Sequence, residues 1–189
     1  MQIDIQQGLL LEARQHPSPN QNDRPLGVSI DLLVIHNISL PPGEFGGSFI
    51  DALFTNTLDP MLHSYFPAII SLQVSSHCLI RRDGELVQYV PFHKRAWHAG
   101  VSQFMGQKDC NDFSIGIELE GTDELPYTEI QYQILADLIQ TLQKHYPGMT
   151  AERIVGHSTI APDRKTDPGE SFNWDLLAIL LNRTPEKLV

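Results

Sequence analysis

Apolar positions recur along the chain at two periods, and the switches between them mark out its elements. In SIDLLVIHNIS (29–39), Leu32, Val34 and His36 alternate with Asp31, Leu33 and Ile35, which predicts a strand buried on both faces and ending near His36. PPGEFGG follows as a glycine and proline loop able to bring backbone close to a ligand. Phe49, Ile50, Leu53 and Phe54 then fall at helical spacing and predict a short amphipathic helix. SLQVSSHCLIRRDGELVQYVP (71–91) reads as two β-rich runs around Asp83-Gly84, the dipeptide of a two-residue hairpin turn. KRAWHAGVSQFMGQKDCND (94–112) reads as a loop, and SIGIELEG as another strand.

Thr128 and Gln131 form a capping box ahead of Ile130, Ile134, Leu135, Leu138, Ile139 and Leu142, a stripe at helical period that ends near Tyr146-Pro147-Gly148. MTAERIVGHS predicts a short strand ending at His157, and FNWDLLAILLNR a closing helix. Together these elements predict a single α/β domain, a mixed central sheet flanked by helices. Residues 1–28, with the irregular HPSPNQNDRP, read as an N-terminal strand and strap, and 29–185 as the domain proper.

Composition narrows the classes. The 189 residues suit one domain with a real core, and 41% hydrophobic with 19% charged content is that of a folded protein. A net charge of −10 disfavours nucleic acid and anionic membrane as partners, since both need a basic face. No basic n-region precedes an apolar run, and no segment approaches the about 18 apolar residues of a spanning helix, so the chain reads as cytoplasmic. Cys78 and Cys110 belong to no CxxC pair and read as reduced thiols. Oligomeric state leaves no mark in the sequence, and a monomer is the default.

The densest chemistry lies in GHSTIAPDRKTDPG (156–169), where His157, Lys165 and Asp167 fall between two glycines. Pro162 and Pro168 rule out a continuous helix and predict loop or short extended pieces. The plain reading is a solvated polar connection. The chemical reading begins with His36 and His157, each at the end of an apolar strand-like run, where open α/β sheets place their sites. A strand-end histidine is commonly a hydrogen-bonded structural residue. With Asp167 as third group, however, two imidazoles and a carboxylate with an open fourth position suit a catalytic zinc.

Period two puts Ile115, Ile117 and Leu119 on one face of SIGIELEG and Gly116, Glu118 and Glu120 on the other. Two like charges on one face imply a nearby cation or a solvated edge, and Gly116 with the apolar opposite face favours a surface turned to a ligand. Zinc hydrolysis needs a base for the water and a donor for the oxyanion, which Glu118 and Lys165 could supply. Lys165 lies two residues before Asp167, so both project the same way if the backbone there is extended.

VIHNISLPPGEFGG, SSHCLIRRDGELVQYVPF, KRAWHAGVS, CNDFSIGIELEGTD and IAPDRKTDPG, in this order and covering most of the chain, resemble the AmpD-type amidases of bacterial cell-wall recycling. These are the 1,6-anhydro-N-acetylmuramoyl-L-alanine amidases, in a wider family that includes phage-type lysozyme amidases and peptidoglycan recognition proteins. The resemblance implies one zinc held by His36, His157 and Asp167, with Glu118 activating water and Lys165 assisting at the carbonyl. The implied substrate is a muropeptide cut between the lactyl carbonyl of anhydro-muramic acid and L-alanine, with Asn37 and Trp97 contacting sugar and peptide. An indole face suits the apolar side of a sugar, although Trp97 in the core is the alternative.

The chain departs from that pattern at Gln73 and Asp109, where relatives often have arginine, and at Glu170, where they have proline. The two lost cations weaken recognition of stem-peptide carboxylates unless Arg81, Arg82 or Lys108 compensates. Two rival functions remain: a non-catalytic peptidoglycan-binding module, which would lack a ligand, and an amidase acting on intact wall outside the cytoplasm, which would want a signal or anchoring segment.

Overall fold

The computed structural model describes residues 1–182, so Arg183 of the closing helical segment and positions 183–185 of the 29–185 stretch lie outside the described residues. Its main sheet has six strands: β1 (Arg14–Gln15), β2 (Leu32–Ile38), β3 (Cys78–Ile80), β4 (Leu86–Gln88), β5 (Ser114–Glu120) and β6 (Ile154–Gly156). Their spatial order is β6-β2-β5-β3-β4-β1. The first four of that order run parallel, β4 returns antiparallel beside β3, and β1 runs parallel to β4, so the sheet is mixed, as the sequence predicts. The helices are α1 (Phe49–Phe54), α2 (Glu129–His145), α3 (His157–Ile160) and α4 (Trp174–Leu180).

β2 and β5 sit at the middle of the sheet because their sequences can be buried on both faces. Leu33 and Ile35 of β2 and Ile115, Ile117 and Leu119 of β5 pack with Leu135, Leu138, Ile139 and Leu142 of α2 and with Leu177 and Ala178 of α4. Each such Leu or Ile contributes about 1.5–3 kcal/mol on burial, so this layer fixes which face of β5 turns away from the helices. On that opposite face two separate apolar clusters form, one around Val34, Phe113 and Ile160, the other around Phe54, Phe66 and Tyr89. The capping box is present: Gln131 Oε1 accepts from Thr128 N at 3.0 Å and Thr128 Oγ1 from Gln131 N at 3.4 Å. Gln131 Nε2 also donates to Ile80 O and Glu120 O, at 3.1 and 3.0 Å, which ties the start of α2 to the carboxyl ends of β3 and β5.

Several local expectations change. β2 continues two residues past His36 to Ile38, because β5 pairs with it along its whole length, up to Glu120 opposite Ile38. The hairpin holds but its turn has three residues. Arg81 N donates to Glu85 O and Gly84 N to Arg81 O, with Gly84 at φ +91, so Asp83-Gly84 forms the end of a bulged turn instead of the whole turn. The 94–112 loop carries paired pieces, since Lys94–Ala96 pairs with Gln21–Asp23 of the strap and Gln107–Lys108 with Gln103–Phe104. Ile130 is 38% exposed and lies outside the buried stripe of α2. His157 follows the last strand residue and opens the single-turn helix α3, which stops before Pro162; the 156–169 segment is thus one helical turn and then a loop.

Candidate active site

His36, near the end of β2, and Glu118, in β5, are directly opposite each other in the parallel register and share the face turned away from α2. His157 enters from the end of the neighbouring β6, and Asp167 reaches the same point from the loop after α3. All three of His36, His157 and Asp167 are buried, at 2%, 2% and 8% exposure. Nδ1 of His36 is 2.9 Å from Nδ1 of His157, and Oδ2 of Asp167 is 3.0 Å from each. This is a nearly equilateral triangle of donors. A tetrahedral zinc with bonds of about 2.0–2.1 Å separates its ligands by about 3.3 Å, so the triangle fits that ion with small outward shifts.

Electrostatics point the same way. Burial lowers the pKa of His36 to about 4, with Asp167 opposing. Burial pushes Asp167 up, but the two imidazoles beside it, His157 and His36, outweigh it and leave the carboxyl well below the usual range. Glu118 is pushed the other way: burial first, then the charge of Asp167, raises its pKa well above the ordinary value, with Lys165 opposing. Its Oε2 is buried and has no hydrogen-bond partner. Lys165 and Asp167 both line one cleft with His36, His157 and Glu118, although Lys165 sits in a turn, its N–H donating to Ala161 O at 2.9 Å, and not in a strand.

That cleft has a volume of about 250 Å³ and a wall of Leu53, Phe54, Tyr65, Ile69 and Leu72. A more polar hollow of about 610 Å³ adjoins it, sharing Asn37, Ser39, Lys165 and Asp167 and adding Thr122, Asp123 and Thr166. Trp97 is half-buried on the cleft wall, its Nε1 donating to Asn22 Oδ1 at 2.7 Å, so it is not a core residue. Asn37 also lines the cleft, but its amide nitrogen is committed to Asp123 Oδ1 and Pro168 O, at 2.8 and 3.1 Å.

Gln73 and Asp109 are both exposed, and neither lines the cleft. The candidate compensating cations face elsewhere. Arg81 is buried among Asp51, Glu85 and Glu120, Arg82 stacks on Phe45, and Lys108 borders a separate hollow beside Val101. Three further residues support the site. His98 touches His36, Ser114 touches His98, and Asp123 joins Asn37, which follows His36 in the chain, to Thr166, which precedes Asp167. The available signal was Gly116. It does not open β5 to a ligand but seats the His98 ring, whose Cγ would lie 2.4 Å from a Cβ at 116.

The family whose description is N-acetylmuramoyl-L-alanine amidase matches residues 26–170. The chain is 60% identical over 179 residues to the 1,6-anhydro-N-acetylmuramyl-L-alanine amidase AmpD of Escherichia coli K12, covering 95% of this chain and 97% of the relative. A crystal structure of a selenomethionine AmpD derivative superposes with a TM-score of 0.92 at 60% identity, over 96% of this chain and 99% of the other. The amidase AmiD of E. coli, solved with the substrate anhydro-N-acetylmuramic acid-L-Ala-D-γ-Glu-L-Lys, superposes with a TM-score of 0.60 at 29% identity, over 86% of this chain and 62% of the other. With the matched sheet, the shared length and the buried donor set on one face of it, the chain belongs to the N-acetylmuramoyl-L-alanine amidase family, in its AmpD-type branch.

Proposed function

We propose that the chain is a zinc-dependent amidase that hydrolyses the bond between the lactyl carbonyl of 1,6-anhydro-N-acetylmuramic acid and L-alanine in muropeptides, within the cytoplasm and in the service of cell-wall recycling. The observation that carries the reading is Glu118: a buried carboxyl with one unpartnered oxygen, opposite His36 on the same sheet face. His36, His157 and Asp167 would hold the metal, which when bound supplies Lewis acidity and a water of pKa near about 7.

Glu118 Oε2 takes the proton of the attacking water and holds it while the carbonyl carbon becomes tetrahedral. The same oxygen then returns the proton to the alanine nitrogen as the C–N bond breaks, so one carboxyl serves as base and acid in turn. A carboxyl pKa raised by burial brings that group closer to the operating pH than an exposed glutamate. Lys165 donates from Nζ to the oxygen that gains charge. Trp97 offers an indole face to the sugar, and the polar hollow beside Lys165 offers hydroxyl and amide groups to the remainder of the ligand.

The carry-over of the anhydro sugar and the stem peptide rests on the named substrates of the relatives. No helix among the described residues is long and apolar enough to cross a membrane. The test is metal content measured together with turnover on anhydro-muropeptide and on intact sacculi. The expected result is about one zinc per chain and strong preference for the muropeptide. Preference for sacculi would overturn the recycling role, and full turnover without metal would overturn the zinc assignment.

A further inference from the structure

His36 uses its two ring nitrogens in opposite directions. Nδ1 faces the donor triangle, while Nε2 is 2.9 Å from Nδ1 of His98. His98 Nε2 lies 3.1 Å from Ser114 Oγ, and Ser114 Oγ lies 2.6 Å from the carbonyl oxygen of Cys110. The far end of this chain fixes the near end. Two oxygens 2.6 Å apart need a proton between them, and a carbonyl has none, so the Ser114 hydroxyl donates to Cys110. With that hydrogen committed, Ser114 Oγ meets His98 as an acceptor, and the His98 proton lies on Nε2. Nδ1 of His98 is then a lone pair that accepts from Nε2–H of His36, leaving Nδ1 of His36 free to bind a cation.

The next residue does the same for the other imidazole. Ala99 O accepts from His157 Nε2 at 3.1 Å, which puts the His157 proton on Nε2 and its lone pair on Nδ1, inside the triangle. Arg164 Nη2 donates to the same carbonyl at 2.7 Å, using its second lone pair. The dipeptide is itself fixed: Asn111 Oδ1 accepts from the backbone N–H of both His98 and Ala99, at 3.1 and 2.8 Å. Ser114, the seat Gly116 and Glu118 lie at alternate positions on one face of β5, so a single strand carries the relay and the carboxyl.

We propose that His98-Ala99, held by Asn111, Gly116 and Ser114, is a positioning device that sets the tautomers of both His36 and His157, presenting Nδ1 of each to the metal. The inference rests on the zinc reading above, but its central observable needs no metal. Long-range 15N–1H correlation spectra of the metal-free protein should show both rings protonated at Nε2. Ser114→Ala, a small change at a buried site, should leave the fold intact and give His36 a mixture of tautomers. His98→Leu should weaken zinc binding, measured by chelator competition, by about 10–100-fold. His98→Asn, which keeps an acceptor near the place of Nδ1, should recover most of it.

Nδ1 protonation of either ring in the native protein would overturn the device. So would Ser114→Ala with an unchanged His36 tautomer, or His98→Leu with native zinc affinity. A native protein that shows both Nε2 protons yet takes up no zinc would support the device and sink the metal reading.

Discussion

Glu118 and Glu120 sit two residues apart on the same face of β5, both buried, and their surroundings are opposite in kind. Around Glu120 every contact is complementary. Its Oε1 accepts from Gly46 N at 2.7 Å and faces Arg81 Nη1 at 3.4 Å, while Oε2 accepts from Arg82 N at 3.2 Å. Arg81 is in turn shared with Asp51 and Glu85. Around Glu118 the ionisable groups of the cleft are a carboxylate, three imidazoles and one lysine, and Oε2 meets no donor. The matched region is built as a joint between the 44–48 loop and the hairpin. The unmatched one leaves a buried carboxyl oxygen without a partner, the arrangement expected if Glu118 acts as proposed.

The comparison can be broken most severely at the donor triangle. His36→Ala, His157→Ala or Asp167→Ala should abolish both zinc uptake, read by elemental analysis, and turnover; full zinc occupancy in His157→Ala contradicts the assignment. Lys165→Met should keep zinc and lower kcat by about 10²–10³-fold, as for one oxyanion donor. On the matched side, Arg81→Met should leave the buried Glu120 without its cation, while Asp51 keeps Arg14, and cost about 3–5 kcal/mol, read by denaturant unfolding, with the cleft residues staying in place. An Arg81→Met protein of native stability would mean that the joint is ornamental.

A smaller effect has the opposite sign. Because the folded protein raises the Glu118 pKa, it binds that proton more tightly than the unfolded chain does. Stability is therefore lost as pH rises from the ordinary carboxyl value through the folded one. Glu118→Gln removes this loss. The metal-free variant should melt above the native protein at pH 8 and by a smaller margin at pH 5, with each kcal/mol worth about 2–4 °C in a chain of this size.

The sequence made some of this legible and hid the rest for identifiable reasons. β2, β5 and α2 were readable because burial against the neighbouring layer imposes a period on Leu33, Ile35, Ile117, Leu135 and Ile139. His36, His157, Glu118 and Lys165 were readable as strand-end or loop residues with suitable chemistry, and the structure gathers them in one cleft. The turn at Asp83-Gly84 was misjudged by one residue, since Arg81 pairing with Glu85 depends on backbone bonds across the hairpin. Ile130 fits the helical stripe by spacing, yet at the first turn of α2 it looks outward over Gly84. His98 was invisible because its partners, His36, Ser114 and Gly116, are brought to it only by the parallel pairing of β2 with β5 and the return of the 94–112 segment over them.

The two carboxyls themselves give the most direct test: kcat of Glu118→Gln and of Glu120→Gln, each at verified full zinc occupancy and at a temperature where both are folded. Glu118→Gln should lose about two to four powers of ten, as for removal of a general base, and Glu120→Gln should stay within a few-fold of the native protein. Near-native turnover in Glu118→Gln, or a loss in Glu120→Gln as large as that expected for Glu118, would contradict the assignment of the unmatched carboxyl as the group that moves the proton.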